Sequence, residues 1–170
     1  RHLEGVVSSD VRVRVPPSAN FQKAVIIEFM KKGIIIVDHG SRKIESNQIL
    51  EQVAQLFHEK FSSKYDIVEP AHMELAEPSI SSAYARCVKK GAEFIVICPF
   101  FLGPGQHWNY DIPNLTKEAS KSFPNTNYHV AMPLGLDDLI LELIEKRLNE
   151  CAQSQFVCPS CEGTPRAGNL

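Results

Sequence analysis

The sequence predicts an α/β fold in which a parallel four-stranded sheet, flavodoxin-like in size, carries helices on both faces. Short apolar runs alternate with longer amphipathic segments over residues 33–152, which is the pattern of successive β-α-β units. The first run, Ile34 to Val37, is apolar throughout, as expected of a strand buried on both faces of a parallel sheet. A chain of 170 residues is also long enough for one domain with a complete core.

Helical and extended segments alternate after this first strand. Apolar residues recur at helical spacing up to Phe61, and Pro70 in the next run places that strand near an edge of the sheet. Asp137 is a suitable N-cap for the last helix. The predicted elements are a helix over 47–61, a strand over 66–75, a helix over 78–90, a strand over 94–101, a helix over 112–122, a strand over 128–132 and a helix over 137–151.

The two ends of the chain do not follow this pattern. Residues 1–32 hold six basic and three acidic residues, with Pro16 and Pro17 in the middle. This N-terminal extension is either the remnant of an organelle transit peptide, which is typically basic, or an extra edge element. Residues 153–170 form a C-terminal tail with a CxxC motif. The domain division is therefore an extension over 1–32, a core domain over 33–152 and the tail.

Composition excludes several classes of partner. Hydrophobic residues make up 44% of the chain and charged residues 22%, and the net charge is −2, so neither nucleic acid nor a membrane surface is expected as a partner. No apolar run approaches the ~20 residues that span a bilayer. The five cysteines do not form a disulfide pattern, and Cys87, Cys98 and Cys151 are best interpreted as small buried hydrophobes.

Two apolar strands each lead into a histidine on a loop. His39 follows the first strand and precedes Gly40-Ser41-Arg42, whereas His107 follows a Gly-Pro-Gly turn after the strand over 94–101. The carboxyl ends of parallel strands are where open α/β sheets bind ligands. Two imidazoles that meet there would give a divalent metal two nitrogen ligands, or each would accept a proton near neutral pH. The hydroxyl of Ser41 and the guanidinium of Arg42 are suited to bind an anion.

Acidic residues near these histidines allow two interpretations each. Glu74 and Glu77 flank the end of the second strand and the start of a helix: either Glu77 merely favours that start, or Glu74 points into the same crevice and serves as a ligand or base. Asp111 either orients His107 or caps the following helix. The remaining histidines, His72 included, receive no role.

These motifs also carry a resemblance. The segments VDHGSR, MELAEPSI, GAEFIVICPFFLGPGQHWNYDIP and MPLGLDD, which span about residues 33–150, resemble the short class II chelatases of the CbiX and SirB type. The resemblance implies insertion of a divalent metal, here Fe²⁺, into sirohydrochlorin to give siroheme, with release of two protons. It implies that His39 and His107 are the active-site histidines and metal ligands, with Glu74 as their acidic partner. It also implies a homodimer of single-domain chains.

The tail motif Cys158-Pro-Ser-Cys161 suits zinc, an iron–sulfur cluster or a redox dithiol. One pair is half of the four ligands that a 2Fe-2S cluster needs, and two pairs across a dimer axis supply all four. A C-terminal extension with this motif resembles the plant branch of the family, the sirohydrochlorin ferrochelatases of chloroplasts. That resemblance implies a 2Fe-2S cluster and a location in the plastid stroma. A tail with two unliganded thiols and a zinc clip remain alternatives. For the whole protein, the alternatives are a cobalt or nickel chelatase and a non-catalytic iron–sulfur or redox protein.

Overall fold

The computed structural model describes residues 30–156 and 160–167. In this part of the chain, the sheet consists of β1 (Lys32–Asp38), β2 (Ile67–His72), β3 (Phe94–Pro99) and β4 (Asn127–Val130). The strand order is β2-β1-β3-β4, and every neighbouring pair is parallel. The predicted α/β fold with a parallel four-stranded sheet is confirmed.

Helices connect the strands in the predicted order. They are α1 (Ile44–Phe61), α2 (Ile80–Lys89), α3 (Ile112–Ser120) and α4 (Asp138–Gln153), and a short 3₁₀ turn lies at Pro165–Ala167. A single turn of π-helix, His107–Asp111, leads directly into α3. The predicted second strand was too long, because β1 ends at Asp38, the register partner of His72, and leaves β2 without a neighbour beyond that point.

The core lies on both faces of β1, as the apolar run predicted. One face of β1 (Ile35 and Val37) packs against residues of α2 and α3, including Ile80, Tyr84 and Ile112. The other face (Ile34 and Ile36) packs against Leu50 and Ala54 of α1. Pro70 is in β2, which is an edge strand as predicted, where a missing amide hydrogen costs no ladder bond.

The last helix, α4, differs from the other three because none of its residues is buried. Asp137 caps it as predicted, since its side chain accepts a hydrogen bond from the amide of Leu139 at 3.0 Å. Five of the six large apolar residues of α4 are between 47% and 70% exposed, and Ile140 is partly buried. The five are Leu139, Leu141, Leu143, Ile144 and Leu148. No helix in the described residues is long and apolar enough to cross a membrane.

Of the three cysteines predicted to be buried, Cys87 is buried, whereas Cys98 and Cys151 are only partly buried. Cys87 is fully buried, and burial raises its pKa to about 12. Burial also raises the pKa of the partly buried Cys98. Cys161 lies in the described part of the tail and is partly buried. Cys158 and residues 1–29, on which the tail and transit-peptide predictions depend, lie outside the described residues.

Candidate active site

The candidate site lies at the carboxyl edge of the sheet between β1 and β3. These strands are neighbours, but β1 leads to α1 on one face of the sheet and β3 leads to α3 on the other. The two connections diverge there and leave a crevice, which is the topological switch point where open α/β sheets bind ligands. His39 directly follows β1, and His107 opens the π-helical turn after β3.

The two histidines face each other across this crevice. Their ring centroids are 5.3 Å apart and their planes are inclined by 56°. The side chains are 40% and 42% exposed, so both rings are supported by protein on one side and open to solvent on the other. The crevice can therefore admit a ligand that contacts both imidazoles.

Glu74 reaches the same crevice from the end of β2. Its Oε2 atom lies 3.2 Å from Nε2 of His39. The backbone makes this approach possible, because the amides of Glu74 and Leu75 both donate to the carbonyl of His39, at 3.3 and 3.4 Å. The structure thus brings together His39, His107 and Glu74, while their chemical roles stay predictions.

His107 is held by Asp111, its neighbour four residues on. The distance from Nδ1 of His107 to Oδ2 of Asp111 is 2.8 Å, and the Asp111 side chain makes no cap hydrogen bond to α3. The structure therefore favours the orienting interpretation of Asp111 over the capping one. Since a carboxylate only accepts hydrogen bonds, this contact places the proton of a neutral imidazole on Nδ1 and leaves Nε2 with a lone pair.

The segment that carries His107 is a helical turn and not the predicted loop. Pro113 has no amide hydrogen to donate within the first turn of an α-helix. The turn before it is a π-helical turn, in which the amide of Ile112 donates to the carbonyl of His107, five residues earlier. The indole of Trp108 donates to the carbonyl of Ala131 at 2.9 Å and attaches this turn to the end of β4. The sequence shows Pro113 but not the widened turn, because π-helical turns have no reliable sequence pattern.

Ser41 and Arg42 lie on the loop after His39. The backbone of Ser41 makes two hydrogen bonds with the amide group of Asn47, and the Ser41 hydroxyl accepts from the amide of Lys43 at 3.1 Å. Ser41 therefore shapes the start of α1. The Arg42 side chain is exposed, and no ion pair involving it is found among the described residues. It is available to an anionic ligand.

A cleft of about 400 Å³ opens beside the histidines. Its lining residues are Met73, Glu74, His107, Asp111, Asn114 and Leu115. Sequence reasoning found Glu74, His107 and Asp111 but missed Met73, which follows β2, and Asn114 and Leu115, which follow the π-helical turn on α3. Across residues 30–156 and 160–167, no group of three or more His, Cys, Asp or Glu side chains is arranged to hold a metal ion.

A second histidine–carboxylate pair lies beneath the site and was missed. His72 is fully buried, and its Nδ1 atom is 2.6 Å from Oδ1 of Asp38. The two residues are 34 positions apart and meet because they are register partners in β1 and β2. The sequence shows only that His72 is in the second strand and that Asp38 ends the first, and the register that pairs them is seen in the structure.

Comparison with known proteins identifies the family of this chain. The CbiX family model matches residues 33–151. The chain belongs to the CbiX family. A CbiX protein of Marinobacter aquaeolei VT8, described as a putative cobalamin (vitamin B12) biosynthesis protein, has a similar structure, with a TM-score of 0.60 and 26% identity over 72% of this chain and 98% of that one. The predicted family and fold are thus confirmed.

Two relatives carry a stated activity. This CbiX chain is 49% identical over 136 residues to the chloroplastic sirohydrochlorin ferrochelatase of Arabidopsis thaliana, with 78% of this chain and 60% of the relative aligned. The sirohydrochlorin chelatase SirB of Bacillus subtilis subspecies spizizenii, solved in complex with cobalt, has a TM-score of 0.61 and 29% identity. That match covers 71% of this chain and 51% of SirB. The chain therefore spans only about half to three fifths of these two relatives.

Proposed function

We propose that this protein is a sirohydrochlorin ferrochelatase, a lyase that inserts Fe²⁺ into sirohydrochlorin, gives siroheme and releases two protons. The observation that carries the proposal is the open crevice in which the rings of His39 and His107 lie 5.3 Å apart with Glu74 beside them. Membership of the CbiX family and 49% identity to a plant sirohydrochlorin ferrochelatase support the substrate and the metal.

We propose different parts for the two histidines in this reaction, and their contacts support this division. Asp111 fixes the proton of His107 on Nδ1, so Nε2 of His107 is the atom that delivers Fe²⁺ to the ring. His39 lies against the Glu74 carboxylate, and a proton taken from a pyrrole nitrogen is held between these two groups. His39 remains available as a second nitrogen ligand while it is neutral. A site with two imidazoles and open positions releases its metal, whereas a closed four-ligand site retains it.

Substrate binding falls to the loop after His39. The exposed guanidinium of Arg42 is suited to bind a peripheral carboxylate of the tetrapyrrole in a charge-assisted hydrogen bond. The Ser41 hydroxyl accepts from Lys43 and retains its own hydrogen for donation to the same carboxylate. This arrangement leaves the metal-inserting face of the macrocycle toward the histidines.

Anaerobic metal insertion tests the proposal. The purified protein is mixed with sirohydrochlorin and Fe²⁺, and the absorption spectrum is followed against a control without enzyme. We expect an accelerated change to the siroheme spectrum. His39→Ala should lower kcat by about 10²- to 10⁴-fold, the usual range for loss of a general acid or base. His107→Ala should also lose insertion, because the nitrogen that delivers Fe²⁺ is removed. Arg42→Ala should raise KM more than it lowers kcat.

The matched control is His129→Ala, which removes an exposed histidine of β4. It should retain the activity of the unaltered protein. Absence of acceleration with Fe²⁺, Co²⁺ and Ni²⁺ alike would exclude the chelatase function. Faster insertion of Co²⁺ or Ni²⁺ than of Fe²⁺ would favour the second candidate, a cobalt or nickel chelatase. The cobalt complex of SirB favours that candidate, because the same imidazole and carboxylate ligands suit all three metals.

We also propose that the protein works as a homodimer in which α4 contacts a second copy. Five large apolar residues of α4 are exposed, and the side chains of Phe94, Val96 and Cys98 on β3 are only partly buried. Exposed apolar area of this kind is typical of interaction surfaces. The resemblance to the short chelatases implies that a second copy of the chain covers this surface.

A 2Fe-2S cluster shared across this dimer is proposed for the tail. One chain contributes Cys158 and Cys161, which is half of the four thiolates that the cluster requires. The described residues include Cys161 but not Cys158, so the support is the CxxC spacing and the two-fold symmetry of a dimer. No step of metal insertion depends on the cluster. The alternative function, that of a non-catalytic iron–sulfur or redox protein, would give the crevice between His39 and His107 no role.

The domain division and the location are proposals as well. We propose a chelatase domain over 33–152, preceded by an extension over 1–32 and followed by a tail over 153–170. The stroma of the chloroplast is the proposed location, because the Arabidopsis relative is described as chloroplastic. The basic composition of residues 1–32 supports a transit-peptide remnant.

A further inference from the structure

We infer that His72 is a positioning residue: through Asp38, its buried imidazole fixes the loop that carries His39 and thereby sets the geometry of the His39–Glu74 pair. This inference rests on the proposed function for its kinetic test, and its structural test is independent of it. His72 does not line the cleft and does not touch the reacting atoms. His72 acts on the site through Asp38 and through the backbone residues that flank His39.

The first observation is the hydrogen bonding of Asp38. Its Oδ1 atom accepts from Nδ1 of His72 at 2.6 Å and from the amide of Gly40 at 2.9 Å. The Gly40 amide lies one residue beyond His39, so the carboxylate holds the backbone on the far side of that histidine. Because a carboxylate accepts hydrogen bonds and does not donate them, Nδ1 of His72 carries the proton.

The second observation is the link between the two loops. The amide of Met73 donates to the carbonyl of Asp38 at 2.8 Å, and the amide of Glu74 donates to the carbonyl of His39 at 3.3 Å. His72 itself is fixed on the other side, because its amide donates to the carbonyl of Pro78 at 2.7 Å. A shift of His72 or Asp38 would therefore displace both members of the His39–Glu74 pair.

Close packing makes the arrangement specific. Gly40 has φ +81°, in the left-handed region that favours glycine, and a Cβ atom there would lie 3.0 Å from Cβ of His72. The loop after His39 thus rests directly on the buried histidine. Any residue larger than glycine at position 40 would push the loop away from its support.

The third observation is an unpaired atom. Nε2 of His72 is buried and has no hydrogen-bond partner in the described part of the chain. An apolar side chain of similar size would avoid this cost, since buried polar groups are normally hydrogen-bonded. The Nδ1–H donor toward Asp38 is the property that an apolar residue at this position lacks. It is the reason we assign the histidine a role.

Two substitutions separate this role from simple filling of the core. In His72→Asn, the amide nitrogen occupies the position of Nδ1 and can still donate to Asp38. In His72→Gln, the side chain fills more of the space, but its amide lies at the position of Nε2. We expect His72→Gln to lower kcat on the order of 10- to 100-fold with little change in KM, as for other residues that orient active-site groups. His72→Asn should stay within severalfold of the unaltered protein.

Thermal unfolding sets the conditions of the comparison. His72→Gln loses the bond to Asp38 and places its amide at the position of Nε2, where no partner lies among the described residues, so it should be the less stable variant. The kcat values are therefore compared at a temperature at which both variants are fully folded. A merely structural histidine would give equal kcat values under these conditions, and that result would overturn the inference.

Histidine NMR provides a readout that does not depend on activity. In full-length protein labelled with ¹⁵N-histidine, His72 should appear as the Nδ1–H tautomer. The ring signals of His39 should move in His72→Gln and stay in place in His72→Asn, while those of the exposed His129 on β4 stay in place in both. An Nε2–H tautomer of His72, or ring signals of His39 that do not move in either variant, would contradict the role of His72. If unaltered protein inserts no metal, the proposed function fails, but these spectra still decide the inference.

A second pair of variants covers the case in which His72→Gln does not fold. Asp38→Ala removes the same hydrogen bond from a side chain that is 26% exposed, and it should reproduce both the loss of kcat and the movement of the His39 signals. Asp38→Asn retains an Oδ1 acceptor for Gly40 and His72 and should restore both. Failure of Asp38→Asn to restore either property would contradict the inference.

Discussion

Glu77 shows how one carboxylate links local structure to pH. Its Oε2 atom accepts from the amide of Ser79 at 2.7 Å and from the hydroxyl of Ser82 at 3.1 Å, at the start of α2. These hydrogen bonds to the charged form, the one from the Ser79 amide foremost, lower the pKa of Glu77 from its usual value of 4.5. This agrees with the prediction that Glu77 favours a helix start.

The pH dependence of stability tests this contact. A carboxyl group whose pKa is lower in the folded than in the unfolded chain stabilises the fold fully above 4.5, and the contribution is lost as the pH falls through the folded pKa. We therefore expect Glu77→Gln to lower the midpoint of urea unfolding at pH 7, and the difference to shrink below pH 4.5 and to disappear once the pH is below the folded pKa. Glu51→Gln, at an exposed position of α1, is the control. A difference that persists unchanged at low pH would contradict the explanation.

Single functional residues could be predicted where the sequence on either side of them has a distinctive pattern. His39 and His107 could be found because each follows an apolar run and a glycine-containing turn lies beside each. The sequence does not reveal that His72 is buried. The second strand is short and contains Pro70, so its pattern of apolar and polar residues does not show which side chains face the core. Its partner Asp38 becomes visible only when the register of β1 and β2 is known.

Elements were predictable where burial and periodicity agree. β1 is apolar at every position between its ends and lies at the centre of the sheet, so its sequence leaves one interpretation. The sequence of α4 is as amphipathic as that of a core helix, and only the structure shows that its apolar face stays exposed in one chain. An apolar stripe indicates that a helix needs a partner and does not say which chain supplies it.

A substitution on the apolar face of α4 tests the proposed dimer. Leu148 is 61% exposed in the single chain, so Leu148→Glu should leave the stability of that chain nearly unchanged. We expect light scattering to give twice the chain mass of 19.0 kDa for the unaltered protein and a single chain for Leu148→Glu. Asn149→Glu adds the same charge on another side of α4 and should remain dimeric. A mass of 19.0 kDa for the unaltered protein at micromolar concentration would exclude the dimer.

At the scale of the whole molecule, metal insertion and the cysteine tail are separate. The residues proposed to insert metal lie between Asp38 and Leu115 at one edge of the sheet, whereas Cys158 and Cys161 follow the end of α4. We expect the full-length double variant Cys158→Ser/Cys161→Ser to lose the visible absorption and the acid-labile sulfide of a cluster while its rate of Fe²⁺ insertion stays within severalfold. Cys151→Ser, which removes a thiol outside the CxxC motif, should keep both properties. Loss of insertion by a double variant that remains folded and dimeric would instead assign the chemistry to the tail.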